Sequence, residues 1–200
     1  MKYLKLISLL FVCTLGSLFA SCEETAEVDE YANWKRRNSE FIDSIAQEAA
    51  ANTDGKWLKI LSFKLNETDL NGNTHAYSND CYVYCHIVKD SVGTEHPLTL
   101  VSTNYRGRLI PTDSHPEGKV FDEWFKGPLT PATNKPVEFD LSGVIVGWQT
   151  ALIHMTKGDI WRVYIPSKLG YGSSQKTDIP AHSTLVFDIN LVDFVSATEK

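Results

Sequence analysis

Between Pro136 and Gly172 the sequence PVEFDLSGVIVGWQTALIHMTKGDIWRVYIPSKLGYG switches its hydrophobic period, and few folds accommodate that switch in so short a span. Trp148, Ala151, Leu152 and Met155 fall on one face of a helix of roughly two to three turns. A helix that short is unstable alone in water, so its apolar face must be packed against something. Lys157 suits the negative end of the helix dipole, and Gly158 suits a left-handed stop. The spacing then becomes that of a strand: Trp161, Val163 and Ile165 alternate with Ile160, Arg162 and Tyr164 until Pro166. A sheet wrapped over one short helix is the predicted core.

The rest of the chain supplies strands for that sheet. Leu185, Phe187, Ile189 and Leu191 alternate with Val186, Asp188, Asn190 and Val192, and the odd face should enter the core. Further strands are expected over 57–65, 81–89 and 98–110. Polar loops lie at 66–79 and 111–119, and Gly127, Pro128 and Pro131 break the segment 124–135. Tyr31, Trp34, Phe41, Ile42, Ile45 and Ala49 give an apolar stripe on a helix from about Val28 to Ala51, stopped by 52–55. That helix could mediate a homodimer, but its length favours packing on its own domain or service as a stalk.

The first residues are set aside from the fold. Lys2 and Lys5 precede an apolar run from Leu6 to Phe19, too short to span a bilayer and shaped like a signal peptide. Ala20-Ser21-Cys22 resembles a bacterial lipoprotein processing site with Cys22 as the lipidated residue, although Phe19 stands where leucine is usual. The alternative is an ordinary cleaved signal with a stray thiol. Glu23 and Glu24 read as an outer-face sorting signal or, with slight preference, as the start of a solvated tether. The expected organisation is a leader at 1–21, a tether and helix at 22–56, an extension with strands at 57–97, and a main domain at 98–197.

Without the leader, 17 of the 19 basic residues face all 25 acidic ones, about −8. Nucleic-acid affinity comes mostly from lysine and arginine on phosphate, so that class of partner is excluded. Cys81 and Cys85 sit four apart in a β-forming stretch, which separates them by ~13 Å. A disulfide requires Cα atoms within ~7 Å, so two free thiols, buried or half-buried, are expected. His75, His86, His96, His115, His154 and His182 are scattered, and no metal site or cofactor motif is read.

Taken in order, Asn104-Tyr105-Arg106-Gly107, Val120-Phe121-Asp122, Val137-Glu138-Phe139, Val144-Ile145-Val146-Gly147-Trp148, Gly170-Tyr171-Gly172, Ile179-Pro180 and Ser183-Thr184-Leu185-Val186-Phe187-Asp188 resemble the FKBP-type peptidyl-prolyl isomerases over roughly the last hundred residues. The resemblance implies an α+β fold: a curved antiparallel sheet around one short helix, here with an N-terminal helix and additional N-terminal strands. It implies a shallow pocket for a proline side chain, with Trp148 as floor and Phe121, Val137, Val144, Ile179 and Phe187 as substrate-binding walls. Catalytic roles carry over to Tyr105, Asp122, Tyr171 and Ile145, the last through its backbone N–H. Phe139 reads as inner core. Val137 stands where many members have an aromatic wall, and the 173–178 loop is shorter and more polar than usual.

The implied function is prolyl isomerisation during folding of exported proteins, needing no cofactor. Its partners would be proline-containing polypeptides and macrolide ligands, with the membrane reached only through the lipid anchor, at an outer membrane and facing periplasm or cell surface. The competing reading keeps the fold and the apolar pocket as a chaperone or adaptor module with weak or no turnover.

Overall fold

The computed structural model describes residues 29–69, 71–125 and 134–196. The leader, Cys22, the start of the tether and residues 126–133 of the expected rim loop lie outside the described residues.

Helix α1 (Trp34–Ala51) is followed by strands β1 (Trp57–Leu61), β2 (Tyr82–Lys89), β3 (Leu100–Arg108), β4 (Val120–Glu123) and β5 (Val137–Asp140). Helix α2 (Val146–Leu152) and strands β6 (Ile160–Ile165) and β7 (Leu185–Phe194) complete the order. Among the described residues the strands form one seven-stranded sheet, ordered β1-β2-β6-β7-β3-β4, with β5 also on β3. Every pairing is antiparallel. The segments expected separately at 57–97 and 98–197 therefore share a single sheet.

The period-two pattern of β6 and β7 lays one face on the core, where Trp161, Val163, Ile165, Leu185, Phe187, Ile189 and Leu191 are buried. Helix α2 covers that face with Trp148, Ala151 and Leu152, and the burial of these side chains holds a helix too short to persist by itself. Gly147 permits the approach, because a Cβ there would lie 2.3 Å from Ile165 Cγ2.

The helix stops earlier than its apolar spacing suggests. His154 N–H bonds to Ala151 O (3.0 Å) and Met155 N–H to Leu152 O (3.1 Å), tightening the last turn, while His154 Nδ1 engages Thr150 O at 2.8 Å. Met155 is still fully buried, but Gly158 (φ +98°) turns the chain into β6 instead of capping α2.

Helix α1 starts at Trp34 rather than near Val28, since Asn33 takes the left-handed conformation (φ 54°) and interrupts any helical run. Its end agrees with the sequence: Asn52 (φ 40°) and Gly55 (φ 70°) both adopt positive φ. Ile42, Ile45, Ala46 and Ala49 pack around Tyr84, which points away from the face that carries Val83 and Cys85. The sheet is thus clad by α2 on one face and by α1 on the other. β1 ends at Leu61, short of the expected Leu65, as Leu65 N–H turns back to Ser62 O at 2.8 Å. Cys81 and Cys85 are free and buried.

Candidate active site

The cavity is built on the first turn of α2. Trp148, 4 % exposed, is ringed by Tyr105, Phe139 and Phe187, with ring centroids 5.2, 5.7 and 5.2 Å away. All three meet the indole nearly edge-on, at 88°, 79° and 86°, the arrangement favoured by aromatic quadrupoles. Tyr105 comes from β3, Phe139 from β5 and Phe187 from β7, so antiparallel register brings residues over eighty positions apart onto one indole. Gly143, Val144 and Ile145 line the approach to α2, and Asp122 and Tyr171 complete a cavity of about 260 Å³.

Gly107 makes this closure possible. A Cβ at that position would lie 2.6 Å from Phe121 Cε2 and Cζ and from Phe187 Cε1, so both rings pack directly on bare backbone. Phe121 meets Phe187 edge-on at 5.5 Å and 86°.

Two hydroxyls and a carboxylate supply the polar groups. Tyr105 Oη donates to Asp122 Oδ2 at 2.7 Å. Burial, then the bond to Asp122 and its charge, push the Tyr105 hydroxyl above its ordinary pKa. Burial, and secondarily the Asp122 charge, also raise Tyr171. Both hydroxyls therefore stay protonated at neutral pH and remain donors. Tyr171 is 37 % exposed, and Lys176 Nζ lies 5.3 Å from its ring centroid. The Ile145 N–H donates to no group among the described residues.

The structure brings Tyr105, Asp122, Val144, Ile145, Trp148, Tyr171 and Phe187 together around the cavity. It does not bring Phe121, Val137 or Ile179 to the lining. Phe121 stands behind Phe187, where Gly107 receives it. Val137 packs against the core without bordering the cavity, and Ile179 is buried and joined to Lys176 by an isolated bridge. Phe139, expected in the inner core, is a wall. It shares the β5 face of Val137 and sets its ring 5.7 Å from Trp148, so the period-two register was the available signal.

A larger groove of about 390 Å³, bordered by Lys35, Asp43, Asn79 and Asp80, has no Phe, Tyr or Trp in its lining. It offers no aromatic floor to a saturated ring.

Known proteins resemble the part of the chain that carries this cavity. The family model for FKBP-type peptidyl-prolyl cis-trans isomerase matches residues 93–192. Every cavity residue named above falls inside that span, whereas α1, β1 and β2 precede it. The FKBP-type isomerase FkpA of Buchnera aphidicola subsp. Schizaphis graminum is 39% identical over 93 residues, 46% of this chain and 32% of that protein. The peptidyl-prolyl cis-trans isomerase Mip of Coxiella burnetii is 39% identical over 93 residues, 46% of this chain and 35% of that protein. The chain thus matches about a third of the length of these curated relatives. A crystal structure of a peptidyl-prolyl isomerase from Pseudomonas syringae pv. tomato aligns with a TM-score of 0.49 and 25% identity, over 80% of this chain and 94% of that one.

Proposed function

The chain belongs to the FKBP-type peptidyl-prolyl cis-trans isomerase family, and from that membership we propose that it accelerates X-Pro isomerisation in polypeptide substrates at the Trp148 cavity. The observation that carries the reading is an indole floor enclosed by three edge-on rings, with hydroxyl donors and a carboxylate at its mouth.

The amide resists rotation by ~18–20 kcal/mol because resonance keeps it planar, and X-Pro exchange unaided takes tens to hundreds of seconds. Water favours the planar, polar amide. A prolyl ring seated on Trp148 carries its imide out of water, so the twisted form loses less solvation than it would in bulk. As the bond twists, the carbonyl oxygen swings relative to the anchored ring. In this reading the Ile145 N–H and the Tyr171 hydroxyl, whose residues both line the cavity, donate to it. Asp122 accepts from Tyr105, which holds that ring against the indole and keeps the carboxylate at the rim of the cavity. A stabilisation of ~4 kcal/mol from these effects gives roughly a thousand-fold acceleration. No covalent step is involved.

Residues 98–197 are the catalytic part of this reading, and 22–97 supply the tether, α1 and two strands of its sheet. The apolar run from Leu6 to Phe19 followed by Cys22 supports export and lipid anchoring at the outer membrane. Among the described residues no helix is long and apolar enough to cross a membrane. Clients would then be exported polypeptides, and the open aromatic cavity also supports macrolide binding, testable by competition with peptide. Helix α1 places its apolar face on Tyr84 of its own chain, which supports a monomer over a homodimer through that face.

A proline-limited refolding assay tests the proposal, using the full chain in mild detergent. The wild type should accelerate refolding, and Asp122→Ala and Trp148→Ala should remove most of the gain. Refolding no faster than in buffer, with peptide still bound, would leave a chaperone or adaptor instead.

A further inference from the structure

Helix α1 lies outside the matched span, yet its buried polar side chains reach the segment between Tyr171, which lines the cavity, and β7. Trp34 Nε1 donates to Ser183 Oγ at 2.8 Å, and that hydroxyl donates onward to Pro180 O at 2.6 Å. One turn along, Asn38 Oδ1 accepts the Thr184 N–H at 2.6 Å, and Thr184 Oγ1 donates to Asn38 O at 3.3 Å. Asn38 Nδ2 in turn donates to Trp34 O at 2.7 Å. Trp34, Asn38, Ser183 and Thr184 are 6, 2, 4 and 2 % exposed, so water cannot substitute for a lost partner.

The residue before this pair takes an uncommon conformation. His182 has φ +65°, and its N–H donates to Gly172 O at 2.8 Å, closing the loop between them. Gly172 directly follows Tyr171. A chain of hydrogen bonds and adjacent residues therefore runs from α1 through Ser183, Thr184 and His182 to Gly172, the residue that follows Tyr171. The apolar anchoring of α1 at Ile42, Ile45, Ala46 and Ala49 is separate, being directed at Tyr84. The helix would dock through those residues without Trp34 Nε1 or Asn38 Oδ1, so the polar keys act on the loop.

We infer that α1 sets the position of Tyr171, with Trp34 and Asn38 as positioning residues that hold the 171–184 loop in its cavity-lining conformation. The inference rests on the isomerase reading for its turnover readout alone. The geometry predicts that loosening the keys disturbs the loop before it disturbs the sheet.

The test uses the full chain in detergent with Trp34→Phe, which keeps a ring and removes one donor, and Asn38→Leu, which removes the Thr184 acceptor. Ile45→Ala serves as the comparison, since it weakens α1 packing away from the loop. Hydrogen exchange across 171–184 should quicken in Trp34→Phe and Asn38→Leu by about two- to ten-fold, the size of one net hydrogen bond. Their kcat should fall by a similar factor with KM little changed, because the Tyr171 donor acts on the twisted carbonyl. Ile45→Ala should lower the thermal midpoint with neither change. If both key variants lower the midpoint while exchange at 171–184 and kcat stay at wild-type values, α1 is only a prop and the inference is wrong. Should Asn38→Leu not fold, Trp34→Phe decides alone. Should the wild type show no turnover, the proposed function falls, and exchange still decides this inference.

Discussion

Gly107→Ala isolates the close approach on which the cavity depends. The added Cβ would lie 2.6 Å from three ring carbons of Phe121 and Phe187, against an ordinary contact of ~3.5–4.0 Å. Both rings must therefore withdraw by about 1 Å, or β3 must separate from β4 and β7. Overpacking of this kind costs about 1–3 kcal/mol. At ~2–4 °C per kcal/mol for a chain of this size, the thermal midpoint should drop by about 2–12 °C. Phe187 sits 5.2 Å from Trp148, so the same displacement deforms the cavity wall. A misplacement of ~1 Å can cost up to ~100-fold in rate, and a loss of about 10- to 100-fold in kcat/KM is expected. Calorimetry gives the first quantity and proline-limited refolding the second. Gly143→Ala is the control for stability, because nothing lies within 4 Å of its added methyl, and its midpoint should hold. A Gly107→Ala protein that melts within 1 °C of wild type and turns over normally would refute the claim that bare backbone is needed there.

Two further outcomes follow from burial of titratable groups. Tyr84, Tyr105, Tyr164 and Tyr171 are all raised above the ordinary tyrosine value of 10.0, each chiefly by desolvation. Their folded pKa values exceed the unfolded ones, so their contribution to stability is complete below about pH 10 and is lost as pH climbs through the folded values. Melting curves between pH 8 and 11 should be flat at first and then fall. Tyrosinate absorbance that Tyr105→Phe removes, if already present at pH 10, would contradict this. Burial also pushes the Cys85 thiol up, so iodoacetamide should leave Cys85 unmodified in the native protein and label it readily in urea. Peptide mapping that finds equal labelling in both would overturn its placement.

How much of this could be read beforehand depended on whether a residue's role is periodic or local. The alternation of β6 and β7 and the face of α2 carried the core, because apolar spacing records which side is buried. Asp122, Trp148 and Tyr171 came through the family resemblance, and the cavity brings them together. Side-chain reach was harder: Phe139 and Val137 share a face, and only the distance to Trp148 tells wall from bystander. The end of α2 escaped too, since His154 competes for a backbone carbonyl in a way no apolar pattern encodes. No apolar period marks Asn38, yet it is among the most buried residues of α1 because Thr184, 146 positions away, supplies its partner.

Strand β2 holds an interior place in the sheet, between β1 and β6, although its residues all precede the span matched by the family model. A piece excised at the limits of that match, 93–192, would leave Ile160–Ile165 with one flank of amides and carbonyls bare. Such a fragment would seek a replacement strand from a second molecule, trading solubility for intermolecular pairing. The border of the family match and the border of the complete sheet do not coincide in this protein.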